Sequence, residues 1–449
     1  MLRRLGSPKL AIGLLLAVTL SYMAGMTVPQ KHLLSDTDFK RWLAEHDLIG
    51  PVADFIGLTH FFNTWWFGLL VFALTINTAV CTWQQGVVFR QKLKRLKSGG
   101  NRPTIVGKLP TASIEDFLEW AGRKGYRFNS GPLAVKSGWG YAGSFIFHLA
   151  LLVIVCGGLI SFLFTVRGEV QITEGQAFTG QLKEYRKVDT GRLAKVSGEP
   201  FVLGVDGVEV DYPQDGDWPT KFKSFIVEIP QGAPVTRREE VTVNKNFYIN
   251  HYILYMFKFG YAPAIIVKEN GVEKFAAYTQ LGTIRNKSAE IYRGNLPLGN
   301  NGEYIDISFL PNDPKGSRPY FPGNPQVTIT LFREGQEKAV STTLGVAETK
   351  ELGPYTISFP EYRRWAGYFV VKDPGRVWVI WGGWLAVLGL MVWFFIIPKS
   401  IVVKNNGSYT VVEGFTAKYP AGFQEELQER IIASGGEALA LYPRPQGEE

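Results

Sequence analysis

Four uninterrupted apolar stretches divide the chain, and the sequence between them is charged or alternates in polarity. The first, KLAIGLLLAVTLSYMAGMTVPQ, has an uncharged core from Leu10 to Val28, and the second, TWWFGLLVFALTINTAVCTW, runs from Thr64 to Trp83. The third lies within GWGYAGSFIFHLALLVIVCGGLISFLFTVRGEVQITEGQ, Gly138 to Gln176, and the fourth, VWVIWGGWLAVLGLMVWFFIIP, from Val377 to Pro398. Each is near the ~20 residues that a helix needs to cross a ~30 Å hydrocarbon core. The pattern predicts four transmembrane helices, in residues 1–28, 64–85, 139–166 and 375–398. A signal peptide competes for the first. Its long apolar run, with no small-residue cleavage site after Tyr22 and Met23, favours an uncleaved helix. Trp65, Trp66 and Trp83 bracket the second as interfacial anchors.

The polar segments have patterns of their own. Residues 29–63 read as a short outer helical loop, with Phe39, Trp42 and Leu43 among Asp36, Asp38, Glu45, Asp47 and Asp54. In residues 86–138, SIEDFLEWAGRKGYRF places Ile114, Phe117, Leu118 and Ala121 at helical spacing, with Ser113 and Asp116 as a loose capping box. A small helix with short strands is predicted there. Residues 167–374 alternate with period two at EVQITEG, FIVEIP, APAIIVKENG, VTITLFREG and YTISFP, punctuated by PQDGD, KENG, LPNDPKG and FPGNP. That predicts a large antiparallel β-rich domain. Residues 399–449 read as two strands around a turn at Asn405, Asn406 and Gly407, then an amphipathic helix closed by Gly435 and Gly436. The predicted fold class is a four-helix membrane protein with a large extracytoplasmic β-rich domain and small cytoplasmic α+β segments.

Charge orients this arrangement. The net charge of +8 is gathered beside the apolar blocks: between Gly86 and Gly140 there are eleven Lys or Arg against three acids. By the positive-inside rule that loop is cytoplasmic, as is the tail that begins with Lys399 and Lys404. Both termini then lie inside and residues 167–374 outside. Juxtamembrane orientation is the simpler account of the basic run, so no nucleic-acid partner is expected. Both cysteines, Cys81 and Cys156, fall in apolar blocks, where thiols mostly pack, so the polar domain has no disulfide framework.

The five histidines are His32, His46, His60, His148 and His251, and His148 alone sits within an apolar span. An ionisable ring in hydrocarbon is costly and marks a candidate functional site. It lies about 12 Å into the third span counted from Gly140, in the cytoplasmic half. Two readings follow from the residues. The ring is either a neutral packing group hydrogen-bonded through Ser144, Thr75 or Asn77, or an axial ligand to a planar iron cofactor between helices. No Ser/His/Asp set, Walker loop, dinucleotide turn or metalloprotease helix occurs, so autonomous catalysis is not expected.

The spans LGSPKLAIGLLLAVTLSYMAGMTVPQ, GLTHFFNTWWFGLLVFALTINTAVCTW and GSFIFHLALLVIVCGGLISFLFTVRGEVQITEGQ resemble the ResB (CcsB) family of System II cytochrome c biogenesis. So do VTVNKNFYINHYILY and DPGRVWVIWGGWLAVLGLMVWFFIIPKSIVV, in the same order over nearly the whole chain. The resemblance implies a subunit of a holocytochrome c synthase complex, working with a ResC/CcsA-type membrane partner. That complex carries haem b across the bacterial inner membrane and supports its attachment to the C-x-x-C-H sequence of apocytochrome c. It also admits a thiol-reducing thioredoxin-like partner. A histidine of the third span is associated with haem in this family, which implies His148 as an axial ligand to haem iron. The tryptophan-rich outer haem motif belongs to the partner, and WGGW at Trp381 to Trp384 lies inside a span. Two alternatives stand beside this one. One is a scaffold or apocytochrome-binding chaperone that does not ligate haem, and the other is a membrane sensor or envelope-assembly protein with a β-rich outer domain.

Overall fold

The structure, a computed structural model, describes residues 5–31, 36–128, 131–196, 201–213, 219–229, 237–286, 289–298, 302–312, 322–333 and 339–441. Its helices are α1 (Pro8–Thr27), α2 (Asp36–Glu45), α3 (Ile49–Phe55), α4 (Trp65–Lys97), α5 (Ile114–Arg123), α6 (Ala142–Phe164), α7 (Arg376–Phe395) and α8 (Pro420–Ala433). Four of them, α1, α4, α6 and α7, are long and apolar enough to cross a bilayer. The chain divides into two compact units, Met1–Leu163 with Pro374–Glu449, and Phe164–Asp373.

In the first unit, α1 starts where Ser7 accepts a hydrogen bond from the Leu10 amide at 3.2 Å and Pro8 takes an opening position. It packs along α4, with the Asn77 amide donating to the Leu5 carbonyl and Cys81 Sγ 3.4 Å from the Gly6 carbonyl. At the other end Gln30 ties the turn after α1 to the Leu58 carbonyl at 2.8 Å. The apolar run of the second span gives way near residue 85, and α4 continues past it without a break to Lys97, 33 residues in all. At 1.5 Å per residue that is about 50 Å, some 20 Å more than hydrocarbon requires. Lys, Arg, Leu and Gln all favour helix, so the basic run RQKLKRLK extends the span as a rod instead of starting a loop.

That rod reaches a six-stranded antiparallel sheet built from two distant parts of the chain. Its order is Arg127–Phe128, Leu133–Lys136, Lys399–Asn405, Tyr409–Thr416, Ile105–Pro110 and Glu437–Ala440. Helices α5 and α8 share its core, where Ile105, Leu109, Phe117, Ile401, Leu427 and Ile431 are fully buried or nearly so. The segments read as a basic loop and a tail are thus one α+β layer. The capping box expected at Ser113 does not form, because α5 emerges from a 3-10 turn, Thr111–Ser113, and Ser113 makes no side-chain cap. The turn at 405–407 and the helix after it stand where the pattern put them, with Gly407 and Gly435 at positive φ of 83° and 77°.

The second unit is antiparallel β-structure, and each of the five alternating runs read from the sequence is a strand in it. Its longest strand, Tyr252–Glu269, joins two cores. Leu254 and Met256 point into one with Val170, Ile172, Val205, Ile226 and Tyr368, whereas Tyr261, Ile265 and Val267 point into another with Ile307, Phe309, Ile329 and Ile357. A register shift between Met256 and Lys258 against Tyr362–Lys372 bends the strand between them. Near that bend Trp365 lies fully buried against Gly260, and its indole Nε1 donates to the Tyr261 carbonyl at 3.1 Å. Any Cβ on Gly260 would overlap the indole.

Candidate functional site

Helix α6 is held between α4 and α7 by two different kinds of contact. Against α7 the contact is backbone to backbone through glycine. A Cβ built on Gly389 would lie 2.6 Å from the Phe147 amide nitrogen, one on Gly382 3.1 Å from the Ile154 nitrogen, and one on Gly157 3.0 Å from the Val379 nitrogen. Small residues permit this close approach. Against α4 the contact is polar and aromatic. The Thr82 hydroxyl shares its proton between the Thr78 carbonyl at 2.8 Å and the His148 carbonyl at 3.0 Å, Ser144 Oγ donates to Gln85 Oε1 at 3.2 Å, and the Phe89 and Phe145 rings stack at 6.4 Å.

His148 is half-buried on the α4 side of this sandwich, about 140° around α6 from Gly143. Its Nδ1 lies 2.7 Å from the Ser144 carbonyl oxygen, one helical turn back. A carbonyl only accepts, so the contact assigns the proton to Nδ1 and leaves the lone pair on Nε2. Among the described residues no hydrogen-bond partner meets Nε2. An imidazole whose Nδ1–H is held by a backbone carbonyl, with Nε2 free, is in the form that ligates iron. The Phe147 ring stands edge-on to it at 6.0 Å.

Of the partners the sequence suggested for this ring, only Ser144 is used, and by its carbonyl rather than its hydroxyl. The Thr75 hydroxyl donates to Val71 O at 2.8 Å, and Asn77 faces α1. Thr78, Thr82 and Gln85, which continue the polar stripe down α4, were not singled out from the sequence. Their spacing of three and four residues in an apolar span was the available signal. Thr82 and Gln85 are the side chains that hold α6 here. Eight residues beyond Thr82, and so about 12 Å along α4, Arg90 begins a basic face with Lys94 and Lys97 around an open hollow floored by Leu93.

The other histidines stand apart from this site. His46 Nδ1 lies 3.0 Å from the Trp42 carbonyl and His60 Nδ1 3.1 Å from Thr59 Oγ1, while His251 sits in an exposed turn and His32 lies outside the described residues. Among the described residues no three His, Cys, Asp or Glu side chains converge as a metal-binding group. A lone imidazole offers one ligand position.

A ResB-like family model matches residues 9–428. The chain belongs to the ResB-like family. Among its relatives, "Cytochrome c biogenesis protein CcsB" of Gloeobacter violaceus is 24% identical over 98% of this chain and 91% of its own length. A protein of the same description from Microcystis aeruginosa is 23% identical over 94% of this chain and 92% of its own. "Cytochrome c biogenesis protein ResB" of Bacillus subtilis is 21% identical over 94% of this chain and 85% of its own. The match of this ResB-like chain takes in all four apolar helices, the β-rich unit and most of the six-stranded sheet.

Proposed function

We propose that this chain is the haem-handling membrane subunit of a cytochrome c synthase complex, and that His148 supplies one axial ligand through Nε2. The observation that carries this reading is the Nδ1 contact to the Ser144 carbonyl, which holds the imidazole in the ligating tautomer inside an apolar helix. Relatives along the whole chain named for cytochrome c biogenesis support the wider assignment. Haem, when bound, supplies the iron for the imidazole and the vinyl groups to which client cysteine thiols add.

The chain's own residues divide the work. Thr82 and Gln85 fix the face of α6 that carries His148, and the glycine seam with α7 fixes its depth. Arg90, Lys94 and Lys97 attract the propionates of haem arriving from the cytoplasm. The four apolar spans hold no second histidine, so if haem is held between two histidines the other would come from a ResC/CcsA-type partner. In this reading the six-stranded sheet and both termini are cytoplasmic, as the excess of Lys and Arg around it favours. The β-rich unit is extracytoplasmic, where it receives apocytochrome c.

The test is to purify the complex with its partner and record haem content and spectrum for wild type, His148→Ala and Thr82→Val. Loss of the low-spin spectrum in His148→Ala with both subunits still present is the expected result. An unchanged spectrum and haem content in that variant would remove the ligand role and leave a scaffold.

A further inference from the structure

The ends of α6 and α7 run directly into neighbouring strands of the six-stranded sheet, Leu133–Lys136 before α6 and Lys399–Asn405 after α7. The register sets Lys136 directly opposite Lys399. Directly opposed residues on an antiparallel pair bring their Cβ atoms to about 5 Å, and like charges there are destabilising. Lys124 joins them from the end of α5. Glu426 of α8 accepts from Lys124 at 2.9 Å and forms an ion pair with Lys399 at 3.7 Å, whereas Lys136 stands over the Tyr126 ring at 5.6 Å. Among the described residues this leaves three ammonium groups with one carboxylate. Lys399 is also four-fifths buried. Burial, and the repulsion of Lys136 and Lys124 working against Glu426, hold its ammonium below the usual lysine range.

The cluster sits where a bilayer would place phosphate. Lys399 follows the end of α7 by four residues and Lys136 precedes the start of α6 by six. Trp139 in the turn before α6 and Phe395 at the end of α7 are exposed, as interfacial aromatics are. Beside them Lys418 donates to the Trp393 carbonyl at 2.6 Å with its ammonium 3.1 Å from that ring's centroid. A soluble anion would use the charges and leave these apolar surfaces bare. A lipid uses both.

We propose that Lys136, Lys399 and Lys124 form a binding site for the phosphate of an anionic phospholipid, whose acyl chains lie along the exposed apolar end of α7. The site does not depend on haem ligation at His148. The experiment takes the full-length chain in a neutral detergent and follows thermal unfolding during titration with dioctanoyl phosphatidylglycerol or dioctanoyl phosphatidylcholine. Phosphatidylglycerol is expected to raise the midpoint by about 3 °C and phosphatidylcholine to leave it within error. Lys136→Gln should lose at least half of that rise, and Lys136→Arg should keep it. Without the anionic lipid, Lys136→Gln should unfold no earlier than wild type, since it removes a like-charge pair. Equal rises with the two lipids, or a full rise in Lys136→Gln, would overturn the proposal. A rise with inorganic phosphate or haemin but none with phosphatidylglycerol would overturn it too, by giving the cluster to another anion.

Discussion

Gly389→Ala is the sharpest test of how α6 is held. The added methyl would stand 2.6 Å from the Phe147 nitrogen, 3.0 Å from its Cα and 3.1 Å from the Gly143 carbonyl. All three are backbone atoms, so no side chain can swing away and the helices must part by about 1 Å to restore contact near 3.5 Å. A gap of that size forfeits a quarter to a half of each neighbouring van der Waals contact. In lipid no hydrophobic force between helices makes up the loss. Overpacking of this kind costs about 1–3 kcal/mol, and 2 kcal/mol is roughly a 30-fold fall in the folded-to-unfolded ratio. Gly383→Ala and Gly158→Ala are the controls, because nothing lies within 4 Å of a Cβ at either position. Reversible unfolding of the full-length chain in mixed micelles should rank Gly389→Ala well below both. Phe147 adjoins His148, so the same variant should also retain less haem when purified with its partner. Equal stability of Gly389→Ala and Gly383→Ala would refute the close approach of α6 and α7.

Three further outcomes follow from particular contacts. Burial pushes the Glu426 carboxyl up, but the Lys124 hydrogen bond and the charges of Lys399, Lys124 and Lys136 outweigh it and hold it below its ordinary value. Its stabilising contribution is therefore complete above the unfolded value of about 4.3 and is lost as pH falls through the lower folded one. Acid unfolding of Glu426→Gln should be flatter below pH ~4 than that of wild type, and a parallel acid limb would show that the carboxylate contributes nothing. Trp365→Phe takes the indole donor from the buried Tyr261 carbonyl, which keeps the Leu281 amide at 3.1 Å, and should cost about 0.5–1.5 kcal/mol in denaturant unfolding; a loss well below about 0.5 kcal/mol would rule out a stabilising role for that bond. Thr82→Val removes the hydroxyl that meets the His148 carbonyl, for about 0.6 kcal/mol in a membrane setting. A shifted haem band at near-normal expression would mark Thr82 as a positioning residue, and an unmoved band would leave it a packing one.

What the sequence could disclose was limited by how local each signal is. The apolar runs mark helices because hydrocarbon leaves the backbone no partner but itself, and α1, α6 and α7 fall within a few residues of the predicted spans. Hydropathy falls away after Trp83, so it misses the last turns of α4, although Leu93 and Leu96 mark the face that meets Gly138. The turn at Asn405, Asn406 and Gly407 marks 399–405 as a strand, but not that its partner is 133–136, because a local signal of that kind fixes no more distant neighbour. The two kinds of site residue differ for that reason. His148 was conspicuous because one polar ring in an apolar helix is a local anomaly, and the structure added its tautomer and its α4 partners. Lys136 and Lys399 are unremarkable where they stand in the chain. Only the pairing of strands on either side of the whole β-rich unit makes them opposed, so a charge conflict created by folding cannot be read from either segment alone.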